Sequence, residues 1–536
     1  MRKNFLESKA GIALVLHAHL PFVRHPDHDW FLEENWLFEA ISETYLPLLR
    51  IFRNLEADDI PFRITLSISP TLASMLGDEY LSDRYTARLE KLIQLAEEEK
   101  KRTAQIKDEY RLAEMYGEIY SRCYEEYVNL YNRDILTPFK EYQAKGNLEI
   151  ITTSATHSFL PHYQEYSQSL RAQVDTALDF HKSLFGDMPK GFWLPECGYS
   201  PGLEKYLENR GIRYFVSSAH GVLYADEQPR YGAYGPIECP NGIAAFGRDR
   251  AASQSVWSSD EGFPGNPVYR DFYRDIGFDL PLDYIGRFVG DGSFAVNTGF
   301  KYYAISGKKS LENKHLYYPD LADEQLKQDA ETYVANRLRQ AETVAGLMDR
   351  KPIILAPFDV ELFGHWWFEG PRFLEEVIRG IHNAGSELSL ITPGDYLDVY
   401  PENQRTTPAC SSWGEKGYGQ VWLDGSNDWI YRHTHKLVER MSELVERYPN
   451  ETGLKKRTLD QAAREVLLAQ ASDWPFIMKT GTTVPYAIKR VKNHINNFNY
   501  IYDTLCCNCV KTEWLTRLEK KNNIFPDLDY RIFKKS

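Results

Sequence analysis

Gly191-Phe-Trp-Leu-Pro-Glu196-Cys-Gly-Tyr199 is the stretch from which the fold of this chain is read. Gly191–Leu194 has the apolar density of a strand buried on both faces. Pro195 holds the residue before it extended, and Gly198 allows close approach behind the acid. Glu196 is therefore expected at the end of a β-strand, framed by aromatic rings. A second segment repeats the design: Ala356-Pro-Phe-Asp359-Val-Glu361-Leu-Phe-Gly-His365-Trp366-Trp367-Phe-Glu369-Gly-Pro371. Two acids in apolar frames at strand ends suit glycosyl transfer, where one carboxylate attacks the sugar carbon and the other protonates the leaving oxygen.

Working outward, further apolar runs predict strands at Ile12–Leu16, Phe62–Ile68, Leu148–Thr152, Tyr214–Val216, Ile353–Ala356 and Glu387–Ile391. Helical stretches separate them over the first ~400 residues, the rhythm of a parallel α/β fold. With Gly191–Leu194 the candidates number seven, a complete or slightly incomplete barrel. The chemically interesting residues follow the strands, on the face where parallel barrels place their active sites. Residues about 75–145 break the rhythm with long charged helices, read as a solvated helical lid, and about 220–275 form an irregular region of the kind that carries function. After about 400 the strands are expected to stop. Trp429–Tyr448, Leu459–Gln470, Val484–Leu505 and Val510–Lys520 read as helices. The division is a catalytic unit at 1–400 and a helical one at 401–536.

His17-Ala-His19 ends the first strand, and its two imidazoles share one face. Thr153-Ser-Ala-Thr-His157 presents a third histidine at another strand end. Such a set serves either a metal hydrolase or an enzyme that hydrogen-bonds sugar hydroxyls. Burial of Asp359 among Phe358, Phe363, Trp366 and Trp367 favours a proton donor, and Arg248 is a candidate to keep Glu196 ionised, yet chemistry alone leaves the two roles reversible. Glu361 and Glu369 rival Asp359. Trp413 and Trp422, in a Gly- and Trp-rich stretch, are either sugar platforms or a packed interface, and Asp473 is placed to reach the same region.

Net charge is −13, which argues against nucleic acid and anionic membrane as partners. No apolar run is long enough for a transmembrane helix, and the first apolar run reads as a strand rather than a signal peptide. Seven cysteines without a paired framework fit a reducing cytoplasm. Cys506-Cys507-Asn-Cys509 lacks a clear fourth ligand for zinc.

Five segments together closely resemble glycoside hydrolase family 57: Leu16–Phe22, Thr153–His157, Trp193–Glu196, Ala356–Asp359 and Ser412–Trp429. The resemblance implies an α/β fold, an incomplete TIM-type (β/α)7 barrel with a helical insertion and a C-terminal α-helical domain, and a retaining mechanism with no metal and no cofactor. By position, Glu196 matches the family's nucleophile and Asp359 its general acid/base. His17, Trp36, His157, Arg248, Trp257, Trp413, Trp422 and Asp473 match residues lining the substrate cleft, to which the sequence reading adds His19 and Trp366. Phe368–Pro371 and Asn427–Tyr431 belong to the pattern of the cytoplasmic glucan branching enzymes and their amylase-like relatives. Those members cover the site with a mobile loop carrying a tyrosine. Here the stretch between Ala219 and Pro240 is short, and Tyr224, Tyr231 and Tyr234 are its candidates.

The expected activity is thus 1,4-α-glucan branching by a monomer acting on α-1,4-glucan. The near alternative is an α-amylase or 4-α-glucanotransferase with the same carboxylates. A remote one is a metal-dependent amidohydrolase or deacetylase built on His17, His19, His157 and Asp359.

Overall fold

The computed structural model describes residues 2–258, 262–307 and 310–535, so part of the irregular 220–275 region lies outside the described residues. The strands are β1 Ala10–Ala18, β2 Ile64–Ile68, β3 Leu148–Thr153, β4 Gly191–Trp193, β5 Tyr214–Ser217, β6 Ile237–Glu238, β7 Ala244–Gly247, β8 Ile353–Asp359, β9 Leu388–Leu390 and β10 Gln404–Arg405. All seven expected strands form. β7 escaped sequence reading because four residues, two of them alanine, carry no periodic signal. The two-residue β10 corrects the expectation that strands end at 400.

Seven parallel strands run in the order β7-β5-β4-β3-β2-β1-β8 and curl into a barrel. The short β6 lies antiparallel on β7, and β10 pairs with β6. β8 takes one edge of β1 along Gly11–His17, so the other edge is divided between β9 at Ala10–Ile12 and β2 at Val15–Ala18. Between β7 and β8 no ladder forms among the described residues. A backbone hydrogen bond from Asp249 N–H to the Leu355 carbonyl, 2.7 Å, spans the gap.

Strand parity sorts the core. Ala13, Val15, Ile151, Trp193, Val216, Phe246 and Leu355 fill the barrel. Ile12, Leu14, Leu16, Leu66 and Ile354 face the surrounding helices. Both faces are covered, which is why every residue of β1 is buried. Gly191 is required here: a Cβ would lie 2.2 Å from Cζ of Tyr214, whose hydroxyl donates to buried Glu149. The same parity carries on beyond the core, so that Ser67, His17 and Asp359 form one cross-strand row at the carboxyl end.

The insertion is a hairpin of two helices, Glu79–Thr103 and Lys107–Tyr124. It is more than a solvated lid. Leu81, Tyr85, Leu89, Leu112 and Tyr116 join the main core, and the Tyr116 hydroxyl donates to the Lys301 carbonyl. The C-terminal region folds as helices Trp429–Arg447, Gly453–Ala469, Asp473–Thr480, Val484–Cys506 and Thr512–Lys521. Asp473–Thr480 was not anticipated; its Pro475 sits in the first turn, where the missing N–H costs nothing. Cys506, Cys507 and Cys509 are exposed and unpaired. No helix among the described residues is long and apolar enough to cross a membrane.

Candidate active site

The carboxyl end of the barrel gathers the histidines. His17 stacks on Trp193 at 4.5 Å; its Nδ1 lies 3.0 Å from Ser67 Oγ, and its Nε2 lies 2.9 Å from Nε2 of His157. His157 has φ +56°, a conformation that costs a non-glycine residue about 1–3 kcal/mol, and its Nδ1 meets Ser472 Oγ at 2.8 Å. His19 Nε2 donates to Asp473, whose two carboxylate oxygens each lie 3.1 Å away, while its Nδ1 meets Ser69 Oγ at 2.9 Å. The rings of His19 and His157 stack 3.8 Å apart. Burial lowers the pKa of His17 and His157 well below the usual histidine value, so both rings are neutral at pH 7.

Glu196 follows β4 in a tight turn, with φ +62° at Glu196 and +49° at Cys197. The turn is held from several sides. Cys197 N–H donates to Leu194 O and Gly198 N–H to Pro195 O, while Trp413 N–H donates to Glu196 O. A Cβ at Gly198 would meet Phe159 Cε2 at 2.6 Å. The carboxylate receives two donors: Trp413 Nε1–H to Oε2 at 2.6 Å and Ser472 Oγ–H to Oε1 at 2.9 Å. Burial pushes the carboxyl up to about 7, and these two donors resist the rise. Asp359, at the end of β8, is pushed well above the usual carboxyl range by burial, and then by the charges of Glu361 and Glu196, with Arg248 opposing. Of the two acids, Glu196 is the one equipped to ionise and Asp359 the one that keeps a proton, the separation that acid–base chemistry uses.

The tryptophans divide. Trp413 is half-buried, with Trp193 at 5.2 Å, Trp257 at 6.1 Å and the Arg248 guanidinium 5.9 Å from its ring. Trp257 is 44% exposed and offers an open face. Trp36 is half-buried, edge-on to Tyr486 at 5.7 Å. Trp422 is 1% exposed and stacked on Phe159 at 5.0 Å, so the platform expected there is a core ring that supports its neighbours. Trp366 is 53% exposed and stacks on Phe272 at 4.4 Å, with His365 beside it rather than either carboxylate.

The Arg248 charge acts on Asp359 and on Cys197 beside Glu196, while the hydrogen-bond donors to the Glu196 carboxylate are Trp413 and Ser472. Both rivals of Asp359 are engaged elsewhere. Glu361 accepts from the Tyr45 hydroxyl at 2.6 Å and from His19 N–H at 3.1 Å, and Glu369 accepts from Arg270 N–H at 3.0 Å. Of the loop tyrosines, Tyr231 donates to Asp349 and Tyr234 accepts from Gln340, whereas Tyr224 is 69% exposed at the end of helix Ala219–Leu223. Ser67 and Ser472 were missed, since a serine has no signal of its own; Ser472 adjoins the flagged Asp473.

His19, His157 and Asp473 offer ligand atoms within 4.8 Å of one another. Their geometry does not suit one ion. Imidazole lone pairs lie in the ring plane, and two stacked rings aim them along parallel lines rather than at a point. Each ring nitrogen already meets a protein partner.

Residues 13–408 match the family model described as glycosyl hydrolase family 57. The chain belongs to that family. Residues 433–533 match a second model, described as 1,4-alpha-glucan branching enzyme, C-terminal. The family-57 chain is 32% identical to the 1,4-alpha-glucan branching enzyme of Thermococcus kodakarensis, over 96% of this chain and 77% of that one. Its structure superposes on the alpha-amylase AmyC of Thermotoga maritima with a TM-score of 0.92 and 42% identity, covering 98% and 99% of the two chains. The GH57-type branching enzyme of Pyrococcus horikoshii gives a TM-score of 0.88 at 28% identity, covering 98% and 97%. The incomplete (β/α)7 barrel with helices behind it is the architecture of these relatives.

Proposed function

We propose that this family-57 chain is a 1,4-α-glucan branching enzyme that works by retaining glycosyl transfer, with Glu196 as nucleophile and Asp359 as acid and base. The observation that carries the reading is the unequal treatment of two largely enclosed acids at one barrel end: Glu196 has two hydrogen-bond donors, while desolvation and the charges of Glu361 and Glu196 raise the pKa of Asp359. Glu196 attacks the anomeric carbon of an α-1,4-linked glucose as the Asp359 proton passes to the departing 4-oxygen. The resulting glycosyl ester is opened by a 6-hydroxyl of an acceptor chain, whose proton goes to the Asp359 carboxylate, and Glu196 leaves as a carboxylate. Trp413 and Trp257 present ring faces for the glucan, and His17, His157, Arg248 and Asp473 bound the cleft. Residues 1–400 form the catalytic unit and 401–536 a helical unit that lends it Trp413, Ser472 and Asp473. The enzyme acts as a monomer in the cytoplasm, where its unpaired cysteines stay reduced.

A second reading, α-amylase, is favoured by the likeness to AmyC and by the short loop, which holds Tyr231 and Tyr234 away and leaves Tyr224 alone to shield the ester from water. Incubation with amylose, counting α-1,6 linkages against new reducing ends, decides between them. Many branch points with few reducing ends are expected. Reducing ends without branches would make the chain a hydrolase, and full activity of Glu196→Gln would overturn the nucleophile.

A further inference from the structure

The hydrogen bonds behind Glu196 form an unbroken line across the barrel end: Ser67 Oγ, His17, His157, Ser472 Oγ and Glu196 Oε1, joined at 3.0, 2.9, 2.8 and 2.9 Å. Each inner member has one hydrogen to give along the line, so fixing the direction of one link fixes all of them. An ionised Glu196 only accepts. Ser472 must then donate to it, His157 must donate to Ser472 from Nδ1, His17 must donate to His157 from Nε2, and Ser67 must donate to His17 Nδ1.

With Glu196 protonated on Oε1 and donating to Ser472, every link reverses, whereas a proton on Oε2 would have to share that oxygen with the Trp413 N–H donor. The last hydrogen then sits on the Ser67 hydroxyl, pointing away from His17. Ser67 is fully buried, and among the described residues its hydroxyl meets no side chain or carbonyl other than His17. The reversed line ends in a buried hydroxyl hydrogen with no acceptor, which proteins avoid. The forward line has no such defect.

We propose that Ser67 and Ser472 are positioning residues at the two ends of a one-way hydrogen-bond line that holds Glu196 as an oriented carboxylate. Neither serine is asked to react. The inference deepens the proposed role of Glu196 and rests on it. The neutral state of both histidines agrees with their burial. Other groups also face Glu196: Asp473 raises its proton affinity, His19 lowers it, Asp359 stands across the site, and Arg248 lies behind Cys197. All of these are unchanged when Ser67 is altered, which makes Ser67 the clean perturbation.

The first readout needs no activity. In full-length protein with ¹⁵N-labelled histidine, His17 is expected as the Nε2–H tautomer and His157 as the Nδ1–H tautomer, and the reverse pair would overturn the line. The second is the pH profile of total glucan-bond cleavage, scored whether water or sugar is the acceptor. Ser67→Ala is expected to move the acid limb of kcat/KM upward by about one pH unit, and Ser67→Thr to restore it. Ser472→Ala should move the limb further. The double variant should match Ser472→Ala alone, because a line already cut beside Glu196 no longer transmits the change at Ser67. Additive shifts, or a uniform fall in rate with the limb unmoved, would refute the proposal. Correct tautomers in a protein that cleaves no α-1,4-glucan would instead count against the proposed function alone.

Discussion

Replacing Trp413 by Phe tests how Glu196 stays ionised. The change keeps a flat ring between Trp193 and Trp257 and leaves the backbone bond from residue 413 to Glu196 O intact. It deletes the indole N–H that donates to Oε2 at 2.6 Å. A hydrogen bond to a charged group contributes about 1.5–3 kcal/mol, and one pKa unit corresponds to about 1.4 kcal/mol, so the Glu196 pKa should climb by roughly 1–2 units. Its starting value is about 7. At pH 7 the ionised share then drops from about a half to between ~10% and ~1%, and kcat/KM falls roughly 5- to 50-fold. The loss should be recovered progressively as the pH is raised, because the deficit is one of protonation. The assay is cleavage of amylose at low substrate concentration across the pH range. A fall of the same factor at every pH, with the acid limb in place, would refute the argument and assign Trp413 to glucan contact alone.

Stability should carry the opposite sign. Glu196 and Glu361 have folded pKa values of about 7 against an ordinary 4.5, so their stabilising contribution is complete below about pH 4.5 and is lost as the pH rises through about 7. Glu196→Gln should therefore melt higher than the parent at pH 8, by on the order of 2–3 kcal/mol, and nearly with it at pH 4, as read by calorimetry. Asp359→Asn should lose about 10²–10⁴-fold in kcat, while Glu361→Gln, which can still accept from Tyr45 and His19, should lose far less. Gly198→Ala, whose new Cβ would lie 2.6 Å from Phe159, should displace the Glu196 turn and reduce kcat with little change in melting. Trp422→Ala should cost about 3–5 kcal/mol of stability as a core truncation, and Trp422→Phe much less, with glucan affinity of the folded protein largely kept.

The strands that carry the site were legible because a strand covered on both faces is apolar along its core, and Ile12–Leu16 or Ile353–Ala356 admit few other readings. Glu196 and Asp359 were legible because each ends such a strand. Their hydrogen-bond partners were not. Trp413 and Ser472 approach Glu196 from more than two hundred residues away in sequence, and only folding brings them to it. Trp422 shows the converse: a Gly- and Trp-rich stretch suggested exposed rings, but burial depends on Phe159, which lies far away along the chain. The influence of Arg248 on Asp359 was not legible either, since β7, which presents it, was too short to be seen.

That long-range completion has a consequence for how activity appears during synthesis. Both acids and the strands bearing them have been translated once Asp359 is made, yet at that moment Glu196 has neither of its donors. Trp413 arrives later, and Ser472 later still, on the segment entering helix Asp473–Thr480. A nascent barrel is therefore expected to hold Glu196 without the donors that favour its carboxylate until the chain has been made past Ser472.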